Sequence, residues 1–224
     1  MMTVVSCIRD ATLRAPTATA LRWLPSTSIE TGADHGIQDL SYEEIWASAL
    51  GIATALGRLA QGEAGSGGDA VGLLIDEGTA LPLMMLAVLL ARMVILPLDP
   101  EDPAERLGKA LSDARPRILV AKDEIQRAKA IRAAALTRDL APTIVLIDEL
   151  LPKAGKDSCP SEQDAAEGEA ADDAVSHIYF TSGSSGTPKG CVVEHRALLA
   201  YCHARNTEYA VGPETVCLVV SPHT

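Results

Sequence analysis

The chain has 224 residues, of which 47% are hydrophobic and 22% are charged. These proportions are ordinary for a globular protein and exclude a chain that is disordered throughout. The formal charge of −11 argues against a protein whose main function is to bind nucleic acid or an anionic membrane surface.

The acidic excess is concentrated in one segment. Seven of the 30 acidic residues lie between Asp157 and Asp173, and no basic residue lies among them. The segment from Leu151 to Asp173 also has few large apolar residues and contains several Pro and Gly. We therefore predict an acidic loop or linker at 151–173, with a binding tail as the alternative.

The cysteines and the N-terminus bear on location. The five cysteines are odd in number and no two are spaced C-x-x-C, which argues against a zinc site or a disulfide framework. Unpaired thiols favour a reducing compartment, and we expect a cytoplasmic protein. The first residues lack the apolar segment of a secretory signal, and a transit peptide is a less favoured alternative.

The middle of the chain alternates between short apolar runs and helical patterns. Ser41 and Glu44 form a capping-box pattern before a helix that we predict to about Leu59. Buried strands are predicted at 71–75, 94–98, 118–121 and 143–147, and helices at about 80–92, 102–114 and 123–135. Continuous apolar strands that alternate with helices predict an α/β fold, in which helices cover both faces of a parallel sheet.

Two of these helices have predicted caps. Thr79 is expected to cap the helix after the first buried strand, with Pro82 in the first turn. Asp102 is expected to cap the next helix, with Pro103 at the first helical position and Glu105 three residues after the cap.

The most apolar stretch, residues 80–98, raises the alternative of a membrane span. Its apolar run ends at Arg92 and is about half of the ~20 residues that a span requires. Arg92 would also be costly in lipid. We predict no membrane span, but a buried helix with Arg92 near its end, followed by a buried strand.

A loop rich in glycine and hydroxyl residues follows a predicted strand at Val175–Phe180. Glycines let the backbone approach a ligand closely, successive backbone N–H groups can bind an anion, and Lys189 adds a compact positive charge. The Walker pattern is absent, because Pro188 stands where it requires glycine. A phosphate-binding loop is favoured over a flexible Gly/Ser linker, since apolar segments flank the loop on both sides.

The run Tyr179-Phe180-Thr181-Ser182-Gly183-Ser184-Ser185-Gly186-Thr187-Pro188-Lys189-Gly190 resembles the AMP-binding signature of the adenylate-forming enzymes. These include acyl-CoA synthetases, luciferases and the adenylation domains of nonribosomal peptide synthetases. Three further elements are similar to those of the amino-acid adenylation type, which is the closest subgroup: Leu40–Ile45, Leu96–Leu107 and Val193–Leu198.

The resemblance implies an activity and a set of ligands. It implies ATP-dependent activation of a carboxylic acid, most simply an amino acid, as an acyl-adenylate, with Mg²⁺ as cofactor. The acyl group would pass to the thiol of a phosphopantetheinyl carrier domain or of CoA. The residues that the resemblance assigns to phosphate binding are Thr181, Ser182, Gly183, Ser184, Ser185, Gly186, Thr187, Pro188, Lys189 and Gly190.

The resemblance also implies that the 224 residues are part of a longer adenylation domain, within the large N-terminal domain of the family. The family's Gly-x-Thr-Glu element with its magnesium-binding acid, its ribose-binding Asp and its C-terminal lysine find no counterpart here. We therefore assign no catalytic residue and no metal ligand in this chain. The alternative function is a catalytically incomplete fragment that binds nucleotide weakly or acts through protein contacts.

Other reactive side chains near the loop are interpreted as structural. His177 is predicted to be a strand residue without a catalytic role, and His195 and Arg196 are predicted to open a helix. Cys191 lacks a nearby base, so we predict a packed thiol.

Overall fold

The computed structural model describes residues 3–25, 36–60, 69–76, 78–151, 173–181 and 188–217. Most of the predicted acidic linker and the centre of the glycine-rich loop (182–187) lie outside the described residues. The described helices are α1 (Val4–Arg14), α2 (Tyr42–Ala60), α3 (Ala80–Leu90), α4 (Ala104–Ala114), α5 (Glu124–Ala135), α6 (Ile147–Leu150) and α7 (His195–Glu208). The strands are β1 (Thr19–Trp23), β2 (Gln38–Ser41), β3 (Ala70–Leu74), β4 (Val94–Leu98), β5 (Ile118–Ala121), β6 (Thr143–Leu146), β7 (Val175–Thr181) and β8 (Lys189–Glu194).

The main sheet has the strand order β6-β5-β3-β4-β7-β8. The first five strands in that order are parallel to their neighbours, and β8 alone pairs antiparallel, with β7. The strands β1 and β2 form a separate antiparallel pair. The predicted α/β class with a mostly parallel sheet is confirmed.

Helices cover both faces of the sheet, as predicted. Alternate residues of β3 divide between two apolar clusters: Leu73 contributes to the larger one and Leu74 to the smaller one. The larger cluster contains the buried faces of α2 and α3, and the smaller one those of α4 and α5. Because side chains alternate along a strand, one apolar run supplies both cores.

Gly72 lies at the centre of β3 between two neighbouring strands. A Cβ atom built there would come within 2.3 Å of Leu119 Cδ2 and 3.1 Å of Leu98 Cδ1. The absence of a side chain at Gly72 therefore makes room for leucines from both sides, one from β5 and one from β4.

Side chains cap the starts of two helices. The capping box of α2 is confirmed: Ser41 N donates to Glu44 Oε2 (2.8 Å) and Glu44 N donates to Ser41 Oγ (3.3 Å). Asp123 caps α5, since its Oδ1 accepts from Ile125 N (2.9 Å) and Gln126 N (3.0 Å). Each bond satisfies a backbone donor that the helix leaves unpaired.

The other two predicted caps are wrong. Thr79 has helical torsion angles and makes no capping bond, because its hydroxyl donates to Gln38 Oε1 (3.1 Å). Pro103 is itself the N-cap of α4 and not its first helical residue. Asp102 forms an ion pair with Arg106 (3.2 Å) and makes no capping bond.

Residues 80–98 form a helix followed by a buried strand, as predicted. α3 ends at Leu90, and Arg92 follows it in the left-handed region with φ 59°. Every residue of β4 is buried. Within the described ranges, no helix is both long and apolar enough to cross a membrane.

Candidate phosphate-binding site

The glycine-rich loop connects β7 to β8. β7 ends at Thr181, β8 begins at Lys189, and these two residues are direct partners across the antiparallel pair. Both are exposed. The predicted strand before the loop is confirmed as β7, whereas Ser182–Thr187 lie outside the described residues.

The sheet topology shows at which edge of the sheet Thr181 and Lys189 lie. β7 runs parallel to β4, with His177 beside Ile95, so Thr181 lies at the carboxyl edge of the parallel strands. Ligands of open α/β sheets bind outside this edge. The hairpin therefore places a hydroxyl group and an ammonium group where such a ligand would lie.

Lys189 carries the positive charge of the site. Within the described part of the chain, its side chain takes part in no ion pair or hydrogen bond. An exposed ammonium group beside a hydroxyl group suits an anion such as phosphate. Pro188 is buried immediately before it, so the base of the lysine is anchored while its side chain is exposed.

Gly190 lies opposite Phe180 in the hairpin. A Cβ atom at Gly190 would lie 3.4 Å from Phe180 Cζ and 3.5 Å from Ile178 Cγ2. Phe180 and Ile178 also pack against the smaller apolar cluster. One face of the hairpin is thus attached to the core through β7, and this attachment positions the facing ends of β7 and β8.

His177 lies below the loop and is 5% exposed. The Ser176 hydroxyl donates to Val193 O (3.0 Å) and lies 2.8 Å from His177 Nδ1, so Nδ1 must be the donor in that second bond. The ring also stacks on Tyr179, with centroids 5.5 Å apart. Every one of these contacts is to a neighbouring residue of the hairpin.

Burial, and to a lesser extent the nearby charge of His195, lower the pKa of His177 from 6.5 to about 4. His177 is therefore neutral at pH 7. Its buried position and its hydrogen bond to Ser176 agree with the structural role that we predicted.

The segment after β8 starts a helix, as predicted. His195 is the first residue of α7, is buried, and donates its backbone N–H to Ala174 O (2.9 Å). Arg196 forms an ion pair with Glu194 at the exposed surface. These contacts join the end of β8 and the start of α7 to the beginning of β7.

The prediction for Cys191 is wrong, because its thiol is exposed. β8 is the outermost strand of the sheet, and its first four residues are all exposed. An apolar sequence pattern does not distinguish an edge strand from a central one, so this exposure could not be predicted from the residues alone.

An ion pair that the sequence did not reveal lies at the same edge of the sheet. Asp76 follows β3, Lys122 follows β5, and their charged groups are 2.6 Å apart. The connections from these adjacent strands lead in opposite directions, to β4 and to β6, which is where open α/β sheets often bind ligands. Here the two charges neutralise each other, whereas Lys189 remains exposed.

No cluster of three or more His, Cys, Asp or Glu that could hold a metal ion occurs among the residues that the structure describes. Acidic residues follow β4. Asp99 Oδ1 accepts a hydrogen bond from Glu101 N (2.8 Å). Burial raises the pKa of the Asp102 carboxyl group. The described carboxylates thus do not form an all-protein cation site.

Comparison with known proteins agrees with this arrangement. The sequence model of the family described as AMP-binding enzyme matches residues 8–224. A curated relative, nonribosomal peptide synthetase 7 of Gibberella zeae, is 32% identical over 154 residues, which are 69% of this chain and 3% of that protein. The chain thus spans only a small part of that relative.

Solved structures show the same fold. A fatty acyl-adenylate ligase from L. pneumophila, in complex with acyl adenylate and pyrophosphate, matches 95% of this chain and 34% of its own with a TM-score of 0.71 and 20% identity. NpsA-ThdA, an artificially fused adenylation–PCP di-domain from Klebsiella oxytoca, matches 88% of this chain and 33% of its own with a TM-score of 0.62 and 21% identity. The chain therefore belongs to the AMP-binding enzyme family.

Proposed function

We propose that this chain supplies the phosphate-binding part of an enzyme that activates a carboxylic acid with ATP and forms an acyl-adenylate. Within that class we propose an amino acid as substrate, because the motifs of the chain resemble those of amino-acid adenylation domains. The observation that carries the proposal is the pairing of Thr181 with Lys189 at the carboxyl edge of the sheet.

The residues of the hairpin would act on the phosphates of ATP. The ammonium group of Lys189 would oppose the negative charge of the β- and γ-phosphates and of the pyrophosphate that leaves. Thr181 would donate its hydroxyl group to a phosphate oxygen, and the loop from Ser182 to Thr187 would add hydroxyl groups and backbone N–H groups. Held in this way, the triphosphate is oriented for attack by the substrate carboxylate.

Mg²⁺ is part of the proposal as a companion of ATP. This ion is usually held by substrate phosphates and one or two carboxylates, and rarely by a protein cage. That mode fits the described residues, which offer an exposed hydroxyl group and an exposed ammonium group on the hairpin but no metal cluster. When bound, the ion would neutralise phosphate charge together with Lys189.

The partner that accepts the acyl group is proposed to be a thiol, on a phosphopantetheinyl carrier domain or on CoA. The fused NpsA-ThdA protein, which joins an adenylation domain to a PCP, supports the carrier domain. A cytoplasmic location and the acidic linker at 151–173 also stay predictions. The four described cysteines are free thiols, which suits the reducing compartment that we expect.

Binding of ATP and of inorganic pyrophosphate to the 224-residue chain tests the phosphate site. Lys189→Ala removes the positive charge and should weaken binding by roughly 1–3 kcal/mol, or about 5- to 150-fold in Kd by isothermal titration calorimetry. Lys109→Ala is the matched control, because Lys109 is another exposed lysine and lies on α4. Equal affinities of the two variants would contradict the site.

Adenylation itself is tested by ATP–pyrophosphate exchange with amino acids. We expect no exchange by the 224 residues alone, because the magnesium, ribose and carboxylate contacts that the family resemblance implies are not in this sequence. Robust exchange would show that other residues here perform the chemistry. Binding without exchange is also what the alternative function, a weakly nucleotide-binding fragment, requires.

A further inference from the structure

The outer face of α5 is apolar, although it is exposed to solvent. A helix at a protein surface normally carries charged and polar residues on the face that it turns away from the core. On α5 and the residue that follows it, the exposed apolar residues, here called the α5 stripe, are Ile125, Ala128, Ile131, Ala135 and Leu136. The three large side chains are 76% (Ile125), 52% (Ile131) and 58% (Leu136) exposed.

The α5 stripe lies on one side of the helix. Its members within α5 follow one another at intervals of three or four residues, which places them side by side on the helix surface. The opposite side, with Ala130, Ala133 and Ala134, is buried in the smaller apolar cluster. Ala128 and Ala135 have small side chains, so a second helix could approach α5 closely beside the larger isoleucines.

The position of α5 in the fold separates the stripe from the phosphate-binding hairpin. α5 packs against β5 and β6. These two strands form the end of the sheet that is opposite to β8. A partner bound at the α5 stripe would therefore leave Thr181 and Lys189 accessible, and neither the proposed function nor the family assignment depends on this surface.

The charges within this exposed face make it complementary to itself. The first turn of α5 carries the acidic residue Glu124, and the last turn carries the basic residue Arg132. Glu124 lies 3.4 Å from Arg127 of its own helix but its side chain is 75% exposed, so it can meet a second cation. In an antiparallel pair of α5 helices, Glu124 of each copy would lie near Arg132 of the other, and the helix dipoles would also oppose each other. A parallel pair would instead place like charges together.

We propose that the α5 stripe is a contact between two copies of this chain, in which the two α5 helices pack antiparallel about a two-fold axis. Burial of the apolar side chains supplies the attraction, and the charges at the two helix ends select the antiparallel orientation. Three large side chains and two alanines cover less than the ~800 Å² per partner of a standard interface. The dimer is therefore weak, and its population depends on protein concentration.

Analytical ultracentrifugation of the 224-residue chain between about 5 and 500 μM tests the contact, since this range covers weak association. We expect the average mass to rise from that of a monomer toward that of a dimer. Ala128→Glu places a charge at the centre of the stripe and should keep the chain monomeric, while glutamate is well tolerated in a helix. Val192→Glu is the matched control, because Val192 is a 61% exposed apolar residue on β8, and it should associate like the unmodified chain.

Charge reversal tests the antiparallel orientation. Glu124→Arg should raise the dimer dissociation constant by about threefold or more, because attraction at both ends becomes repulsion, and adding Arg132→Glu should restore the association. The measurement on the unmodified chain needs no variant, so a variant that fails to fold does not decide the outcome. The proposal is overturned if the unmodified chain stays monomeric up to about 500 μM, if Val192→Glu abolishes the association while Ala128→Glu does not, or if the double reversal fails to restore it.

Discussion

The central strands and the β7–β8 hairpin belong to one sheet but differ in almost every physical respect. All residues of β3, β4 and β5 are buried, and helices lie on both faces of these strands. β8 is the outermost strand, and no residue in it is fully buried. The centre is stabilised by apolar burial, and the hairpin is attached to it through one side of β7.

This difference separates folding from ligand binding. The buried strands and the helices packed on them supply the apolar core that stabilises the domain. The hairpin contributes less to stability and presents Thr181 and Lys189 at the surface. A ligand can reach both side chains, because they lie at the surface and are not part of the core.

The largest difference between the two regions is expected when a side chain is truncated in each. Leu73 is completely buried in β3, whereas Val192 is 61% exposed in β8. Leu73→Ala should lower the free energy of unfolding by about 2–5 kcal/mol, and Val192→Ala by less than about 0.5 kcal/mol. Urea denaturation of both variants measures the difference, and similar losses would show that the hairpin is packed as tightly as the centre.

Acid should affect the base of the hairpin before it affects the apolar centre. The pKa of His177 is lowered from 6.5 to about 4, so the unfolded chain binds more protons than the folded chain between these values. Stability from this group is complete above pH 6.5 and is lost as pH falls to about 4, by up to about 3 kcal/mol. Chemical denaturation at several pH values should show this slope.

His177→Gln should flatten that slope between pH 6.5 and 4. His203→Gln is the matched control, because His203 is an exposed histidine on α7. If the two variants change the pH dependence of unfolding equally, the slope does not originate at the base of the hairpin.

Two residues at helix starts in the central part of the domain should also differ in their effect on stability. Asp123→Ala removes an oxygen that accepts two backbone N–H groups of α5 and should cost about 1 kcal/mol. Thr79→Ala removes a hydroxyl group that makes no capping bond and should cost less than about 0.5 kcal/mol. Thermal unfolding of both variants is the measurement, and a larger loss for Thr79→Ala would mean that its bond to Gln38 matters more than the cap.

Lys189→Ala is expected to change the stability of the fold least, although it has the largest expected effect on ligand binding. Lys189 is exposed and has no ion-pair partner among the described residues. Lys189→Ala should change the free energy of unfolding by less than about 0.5 kcal/mol while it weakens pyrophosphate binding. A large loss of stability in this variant would show that the lysine supports the fold.

Residue patterns predicted many of the local elements and indicated the family. Apolar runs marked the strands at 94–98 and 118–121, because a strand buried on both faces needs side chains without polar groups. Ser41 and Asp123 marked helix starts, since short polar side chains satisfy nearby backbone donors. The loop ending at Lys189-Gly190 carried the family resemblance, which depends on residue order alone.

The arrangement of these elements depends on the tertiary structure and could not be predicted from local patterns. It placed β8 antiparallel at the edge of the sheet, and this position exposes Cys191 despite the apolar residues beside it. It turned the Thr79 hydroxyl toward Gln38, and it packed α1 against α7 across the length of the chain. Local patterns record what a segment prefers, whereas exposure and long-range pairing depend on which segments cover it.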